Sequence, residues 1–397
     1  MATPPPPPPR LRRSVPELVD DLILEILLRV PPHRPACLVR CSAVCPSWRR
    51  LLTDPAFLRR YRAFHGAPPM LGFLINLNLP PDMRVVARFV RTASFRPRAL
   101  DHWDWSAHDC RHGRVLFSTH TYGEREPDFA VWNPITDERW ELYLSQQSSA
   151  EWNAAVLCAA HAGGCDHLDC HSGPFLVVFV GTNDDGLTFA CVYSSESAAW
   201  SDAITAGHPD GLDVLNMQPS ALVGSAIYFV ARDSRTIVEY DLGRRQLAFI
   251  DPPFAYEGDG VLMPAAGGGL GFAGVRGSCL YLWAREAGPD GTAAWAQRRV
   301  IELNTLPTRA PSCKPTAVGF AEGLGTIFVS TDAGVFAIEL KSNRVKEVSS
   351  RQSIDTVIPY TSFYTPVLCY ALIITATPDL FINMMIEKAY IVGLPQT

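Results

Sequence analysis

The densest grouping of side chains able to do chemistry lies between residues 158 and 171: Cys158, His161, Cys165, His167, Cys170 and His171. Zinc needs four thiolates or imidazoles arranged tetrahedrally, and these six within fourteen residues could supply them. The spacing is not of the paired CxxC type, Gly163 and Gly164 interrupt it, and a single loop would have to fold back sharply to converge. The favoured reading is a cysteine-containing loop near the surface, with zinc the lesser alternative, so no metal and no cofactor is expected. Asp109, Cys110 and His112 put a thiol beside an acid and a base, the parts of an activated nucleophile. With Gly113 following, they read instead as a turn before a strand at Val115. Gly267, Gly268, Gly269 and Gly271 lack the helix opening and the lysine of a phosphate loop and read as a connection between strands. Cys37, Cys41 and Cys45 recur every four residues on one helical stripe, where thiols pack as small hydrophobes. No catalytic residues are expected.

The elements that would position such groups change character near Gly66. Before it, Leu18, Leu22, Ile26 and Val30 recur at helical spacing, flanked by Ile23 and Leu27. Asp20 and Asp21 suit the positive end of that helix, and Pro31 and Pro32 stop it. Pro35 to Cys41 reads as a second helix and Ser47 to Leu52 as a third. Asp54 as N-cap and Pro55 at the first helical position open a fourth. A bundle of roughly fifty residues cannot bury this much leucine, isoleucine and valine. The surplus predicts a docking face for another helical protein.

The order Leu18, Asp20, Asp21, Leu22, Glu25, Ile26, Leu27, Arg29, Pro31, Pro32, then Leu38, Cys41, Val44, Cys45, Ser47, Trp48, Arg49, Leu51, then Asp54, Pro55, Phe57 resembles an F-box. Val19 and Pro46 depart from the usual pattern, which has proline and a basic residue there. The resemblance implies that these helices bind the Skp adaptor, and through it the cullin, of a Skp/cullin/F-box ubiquitin ligase. The rest of the chain would then recruit a protein target. The residues expected to meet the adaptor are Leu18, Leu22, Ile26, Pro31, Pro32, Leu38, Val44 and Trp48, with Leu22 and Ile26 as apolar anchors. Some of them, Trp48 included, are expected to serve as bundle core.

Beyond Gly66, Ala67, Pro68 and Pro69 the period becomes strand-like. Short β-rich runs stand at 70–77, 85–90, 114–118, 130–132, 175–180, 187–193, 226–230, 237–241, 280–283, 299–303, 326–330 and 335–340. Aligning Val131, Val192, Val238, Val300 and Phe336 gives a loose repeat of about fifty residues, the length of propeller blades. The intervals are uneven, and no Gly-Gly or Trp-Asp signature recurs. Asp109 to Leu116, Asn133 to Thr136, Tyr193 to Ser195 with Trp200, Glu239 to Leu242 and Pro359 to Tyr364 resemble the plant F-box proteins with a propeller-like (kelch-like, F-box-associated) carboxy-terminal domain. The fold class expected is therefore α+β multidomain, a small N-terminal all-α F-box helical bundle followed by a large all-β, propeller-like domain. The divisions are a disordered Pro/Arg-rich leader at 1–14, the helices at 15–65, the propeller-like domain at 66–366 and an apolar tail at 367–397.

Composition narrows the partners. The net charge of -5 divides into about +6 over residues 1–65, where eleven arginines face five acids, and about -11 over the rest. An acidic body offers phosphates no excess of positive charge, so no nucleic acid partner is expected. The apolar run at 367–377 is too short for a bilayer, so no membrane partner is expected either. Eleven cysteines, an odd number, with no secretory leader in front point to free thiols in a reducing compartment, cytoplasmic or nuclear. The expected role is non-catalytic. The alternatives are a propeller that binds proteins without a ligase and, less favoured, an enzyme with its site at the propeller channel.

Overall fold

The computed structural model of the chain describes residues 20–364, apart from 80–83, 120–127, 145–150, 161–164, 183–185, 208–217, 232–235, 254–259, 288–291, 311 and 352–353. The expected leader at 1–14 and the apolar tail at 367–397 lie outside the described residues. Four short helices come first: α1 (Asp20–Leu28), α2 (Pro35–Ser42), α3 (Pro46–Thr53) and α4 (Pro55–His65). Proline at the first position of α2, α3 and α4 gives up only an N–H that the helix leaves unpaired anyway. Asp54 caps α4 by accepting from the Ala56 N–H at 2.8 Å, and Cys45 Sγ accepts from the Trp48 N–H at 3.5 Å at the start of α3.

Among the described residues the remaining regular structure is strand apart from one short 3-10 turn, and it closes into a six-bladed β-propeller. The first blade holds β1 (Met70–Leu79), β2 (Arg84–Arg91) and β3 (Asp101–Trp103). The second runs β4 (Trp105–Arg111), β5 (Arg114–Thr119), β6 (Phe129–Trp132) and β7 (Arg139–Leu142). The third holds β8 (Glu151–Cys158), β9 (Phe175–Thr182), β10 (Leu187–Ser194), β11 (Ala199–Trp200) and β12 (Ile204–Gly207), the last two both paired to β10. The fourth comprises β13 (Ala221–Val223), β14 (Ala226–Val230), β15 (Ile237–Asp241) and β16 (Gln246–Ile250). Then follow β17 (Gly260–Pro264), β18 (Leu270–Arg276), β19 (Cys279–Ala287) and β20 (Ala293–Glu302), and finally β21 (Thr316–Ala321), β22 (Thr326–Thr331), β23 (Gly334–Glu339) and β24 (Val345–Ser349). The last strand among the described residues, β25 (Ile358–Thr361), returns to pair antiparallel with β1 and supplies the first blade with its inner strand. Pairing a late strand with the first one closes the ring within a single blade, and the radial arrangement leaves only short outer edges.

Six hydrophobic clusters join neighbouring blades, one at each junction around the ring. Middle strands are therefore covered on both faces: every residue of β6, β14 and β22 is buried. The twelve β-rich runs of the sequence all fall on strands. The inner strands β4, β8, β13, β17, β21 and β25 escape the periodicity. They are short, as at Ala221–Val223, or mix polar with apolar residues, as at Trp105–Arg111, so they show no regular alternation even where they carry large apolar side chains such as Val261, Leu262 and Ile358. Gly260 on β17 makes room for the buried Phe272 of the adjacent strand β18, since a Cβ there would sit 2.0 Å from its ring.

The repeat alignment needs one correction. Val131, Val192, Val238 and Phe336 lie on the third strands of their blades, but Val300 lies on β20, the outermost strand of the fifth. Leu282 on β19 is its proper counterpart and removes the longest of the uneven intervals.

Candidate functional site

The helical bundle faces two ways. Ile23, Leu27 and Leu28 of α1 turn inward on Leu38, Leu52, Phe57, Leu58 and Tyr61, while Leu22 and Ile26, one turn apart on the opposite side, are each 52% exposed. Val44, between α2 and α3, is 63% exposed. Glu25 ties the helix in place by pairing with Arg29 at 2.7 Å and with Arg60 of α4. Both arginines hold its carboxyl below the usual range. Of the residues expected at an adaptor face, Leu22, Ile26 and Val44 are thus presented to solvent, and Pro31 and Pro32 are half-buried where the chain leaves α1. Leu38 is the correction: at 1% exposure it is bundle core, because α2 lies with that side against α1 and α3. Trp48 is half-buried and packs against the same core. Leu18 lies outside the described residues.

The bundle is fastened to the ring through α4. Tyr61 donates to the Val30 carbonyl at 2.7 Å and meets Phe363, just after β25, edge to face with ring centroids 6.2 Å apart. Arg62, almost wholly buried, pairs with Asp169, and Leu168 beside it packs into the helical core. The Arg62–Asp169 pairing spans 107 positions, and nothing in local sequence announces it.

Asp169 and Leu168 belong to the thiol- and imidazole-rich segment between β8 and β9. The loop does fold back sharply, against expectation. The chain turns at Ala159 and Ala160, His167 takes left-handed backbone at φ 55°, and a 3-10 turn runs from Cys170 to Ser172. The result gathers Cys158, Cys165, His167 and Cys170, whose ligand atoms all lie within 4.8 Å of one another. His161 lies outside the described residues. His171 turns away, with Nδ1 3.4 Å from Asp169 and its Cβ against the hairpin at Gly113; burial holds its imidazole below the ordinary value. That hairpin, His112 and Gly113 at φ 52° and 75°, is the turn read from the sequence, and it leads into β5. His112 Nδ1 accepts from the Cys158 N–H at 3.2 Å, its ring stacks on His167 with centroids 4.1 Å apart, and burial pushes its pKa down to about 3.

The same end of the channel carries a polar cluster that sequence reading missed. Arg111 pairs with Asp109 at 2.5 Å, donates to Ser220 Oγ at 3.0 Å and stands 3.7 Å from Glu322, drawing together the second, fourth and sixth blades. Asp109 also accepts from the Val156 N–H of β8 at 2.9 Å. Burial raises the Asp109 carboxyl, and Arg111 opposes it; burial likewise works against the Arg111 charge, but Asp109 and Glu322 hold it above its ordinary value. Cys110 is half-buried, and burial followed by the neighbouring Asp109 charge pushes its thiol up, away from the thiolate a nucleophile needs. A cavity of about 350 Å³ opens here, walled by Arg111, Ser220 and Glu322 from the ring and by Gly66 and His167 beside the helices. No helix among the described residues is long and apolar enough to cross a membrane.

Comparison with curated proteins finds no match. Among solved structures the chain is similar to one in the nidogen/laminin complex, at 10% identity over 74% of this chain and 99% of that one, with a TM-score of 0.43. It is also similar to a functionally unknown protein from Desulfotomaculum acetoxidans, at 8% identity over 73% and 89%, with a TM-score of 0.41. Likenesses this distant carry no argument; the six-bladed ring rests on the strand pairing itself. The family model described as F-box domain matches residues 15–60, so the four helices with their exposed apolar face are an F-box domain, set on a β-propeller.

Proposed function

We propose that the chain is a substrate receptor of a Skp/cullin/F-box ubiquitin ligase, in which the F-box holds a Skp-type adaptor and the propeller holds a protein target. The observation that carries this reading is the pair Leu22 and Ile26, each 52% exposed on one side of α1 within the matched domain. Apolar side chains one helical turn apart suit the helix-to-helix packing of an adaptor groove. The receptor does no bond chemistry of its own. It raises the effective concentration of target lysines near a ubiquitin carrier bound elsewhere in the assembly. A cytoplasmic or nuclear site of action and kinship with the plant F-box group of propeller-like receptors belong to the same reading.

The test is co-expression with a Skp adaptor followed by size exclusion. The unaltered chain should elute as a one-to-one complex. Leu22→Asp together with Ile26→Asp should abolish it, each anchor being worth about 2 kcal/mol or more, with β-rich circular dichroism unchanged. Complex formation that survives both substitutions would refute this docking face.

A further inference from the structure

The loop that carries the F-box also holds the best-formed ligand set among the described residues. We propose that Cys158, Cys165, His167 and Cys170 bind a structural zinc ion that braces the F-box against the propeller. Zinc–sulfur bonds of about 2.3 Å and zinc–nitrogen bonds of about 2.0–2.1 Å place tetrahedral ligand atoms roughly 3.4–3.8 Å apart. His167 Nδ1 already lies 3.7 Å from Cys170 Sγ, and the whole set falls within 4.8 Å, so closure needs a contraction of about 1 Å. Three sulfurs and one imidazole in a tetrahedral group select zinc over the harder divalent cations.

The surroundings supply what such a site needs. The ring of His112 lies flat on that of His167 at an interplanar angle of 13° and fixes its orientation. The backbone N–H of His167 donates to Cys165 Sγ at 3.4 Å, stabilising charge on the sulfur. Arg114 is the second, independent sign. Its side chain is completely buried, it makes no ion pair with any carboxylate among the described residues, and its Nε and Nη1 have no hydrogen-bond partner. Its Nη2 donates to the carbonyls of Cys170 and Gly173, which sets the guanidinium beside the cluster. A buried cation left without an anion is costly. Three thiolates, a neutral imidazole and Zn²⁺ sum to a single negative charge, which Arg114 balances.

The consequence is mechanical. Leu168 and Asp169 sit between the third and fourth ligands, and they are the residues that enter the helical core and pair with Arg62. Metal held at either side of them fixes the seat of α4 on the ring. This holds whether or not the exposed face of α1 binds an adaptor.

Metal analysis of the purified full-length chain tests the proposal first, and one zinc per chain is expected. Replacement by Co²⁺ should give the thiolate charge-transfer and tetrahedral d–d absorption of such a site. Alkylation mapped by mass spectrometry should find Cys158, Cys165 and Cys170 protected in the zinc-loaded protein and reactive after chelation, with no variant required. Cys165→Ser with Cys170→Ser should lose the ion, His167→Cys should keep it, and Cys37→Ser with Cys41→Ser should leave it unchanged. Folded protein without stoichiometric zinc, a disulfide within the trio, or zinc retained by the Cys165/Cys170 double variant would overturn it.

Discussion

The two parts of this chain treat apolar side chains in opposite ways. In the propeller, blades face blades, so a strand such as β22 buries all six of its residues and Phe328 has no exposed surface. In the F-box, four short helices make one thin layer over a single core, and α1 leaves Leu22 and Ile26 half in water. A closed ring of six sheets gives every middle strand two covered faces, whereas a helix at the edge of a small bundle has one. Leu22 and Ile26 are exposed for want of a second layer over α1, whereas the ring gathers buried polar residues such as Asp109 and Arg111 at its channel mouth.

Substitution at the two kinds of position should sharpen the contrast. Phe328→Ala should destabilise the chain by about 3–5 kcal/mol in chemical denaturation, from lost transfer energy and an unfilled cavity. Leu22→Ala should change stability by less than about 0.5 kcal/mol while weakening adaptor binding. Equal stability losses would break the comparison.

The next effect belongs to the ring alone. His102 is packed between Phe117 and Trp132, with centroids 4.8 and 4.4 Å away, and burial, with Arg139 adding to it, pushes its pKa down to about 4. The unfolded chain binds this proton more readily, so the histidine costs nothing above pH about 6.5 and destabilises the fold as pH falls towards 4, by at most about 3 kcal/mol. His102→Phe should flatten that part of the stability profile; an unchanged slope would assign the loss to other groups.

The smallest effect is local to the bundle. Asp54→Ala removes the cap of α4 and should cost about 1 kcal/mol, seen as faster amide exchange in the first turn of that helix with no change in the blades. Exchange spreading into the blades would show the two parts to be one cooperative unit.

Much of this was legible in the chain itself. Helix starts are written in Pro35, Pro46, Pro55 and Asp54, and the middle strands in β-branched and aromatic runs, because both signals depend on near neighbours. The inner strands were not legible, since they are short or mix polar with apolar residues, as in Trp105–Arg111 and Ala221–Val223, and so show no regular alternation. Nor was the arginine cluster: Arg111 meets Ser220 and Glu322 only because the ring closes.

The sequence by itself determined that a helical module with an apolar surplus precedes a β-repeat, and that six potential metal ligands share one short segment. Tertiary structure decided the rest. It turned Leu38 inward and left Leu22 and Ile26 outside, counted the blades at six, and folded four of those six ligands onto one point. The physical reason is the same in each case: burial and convergence are set by what packs from far along the chain, and spacing reports only neighbours.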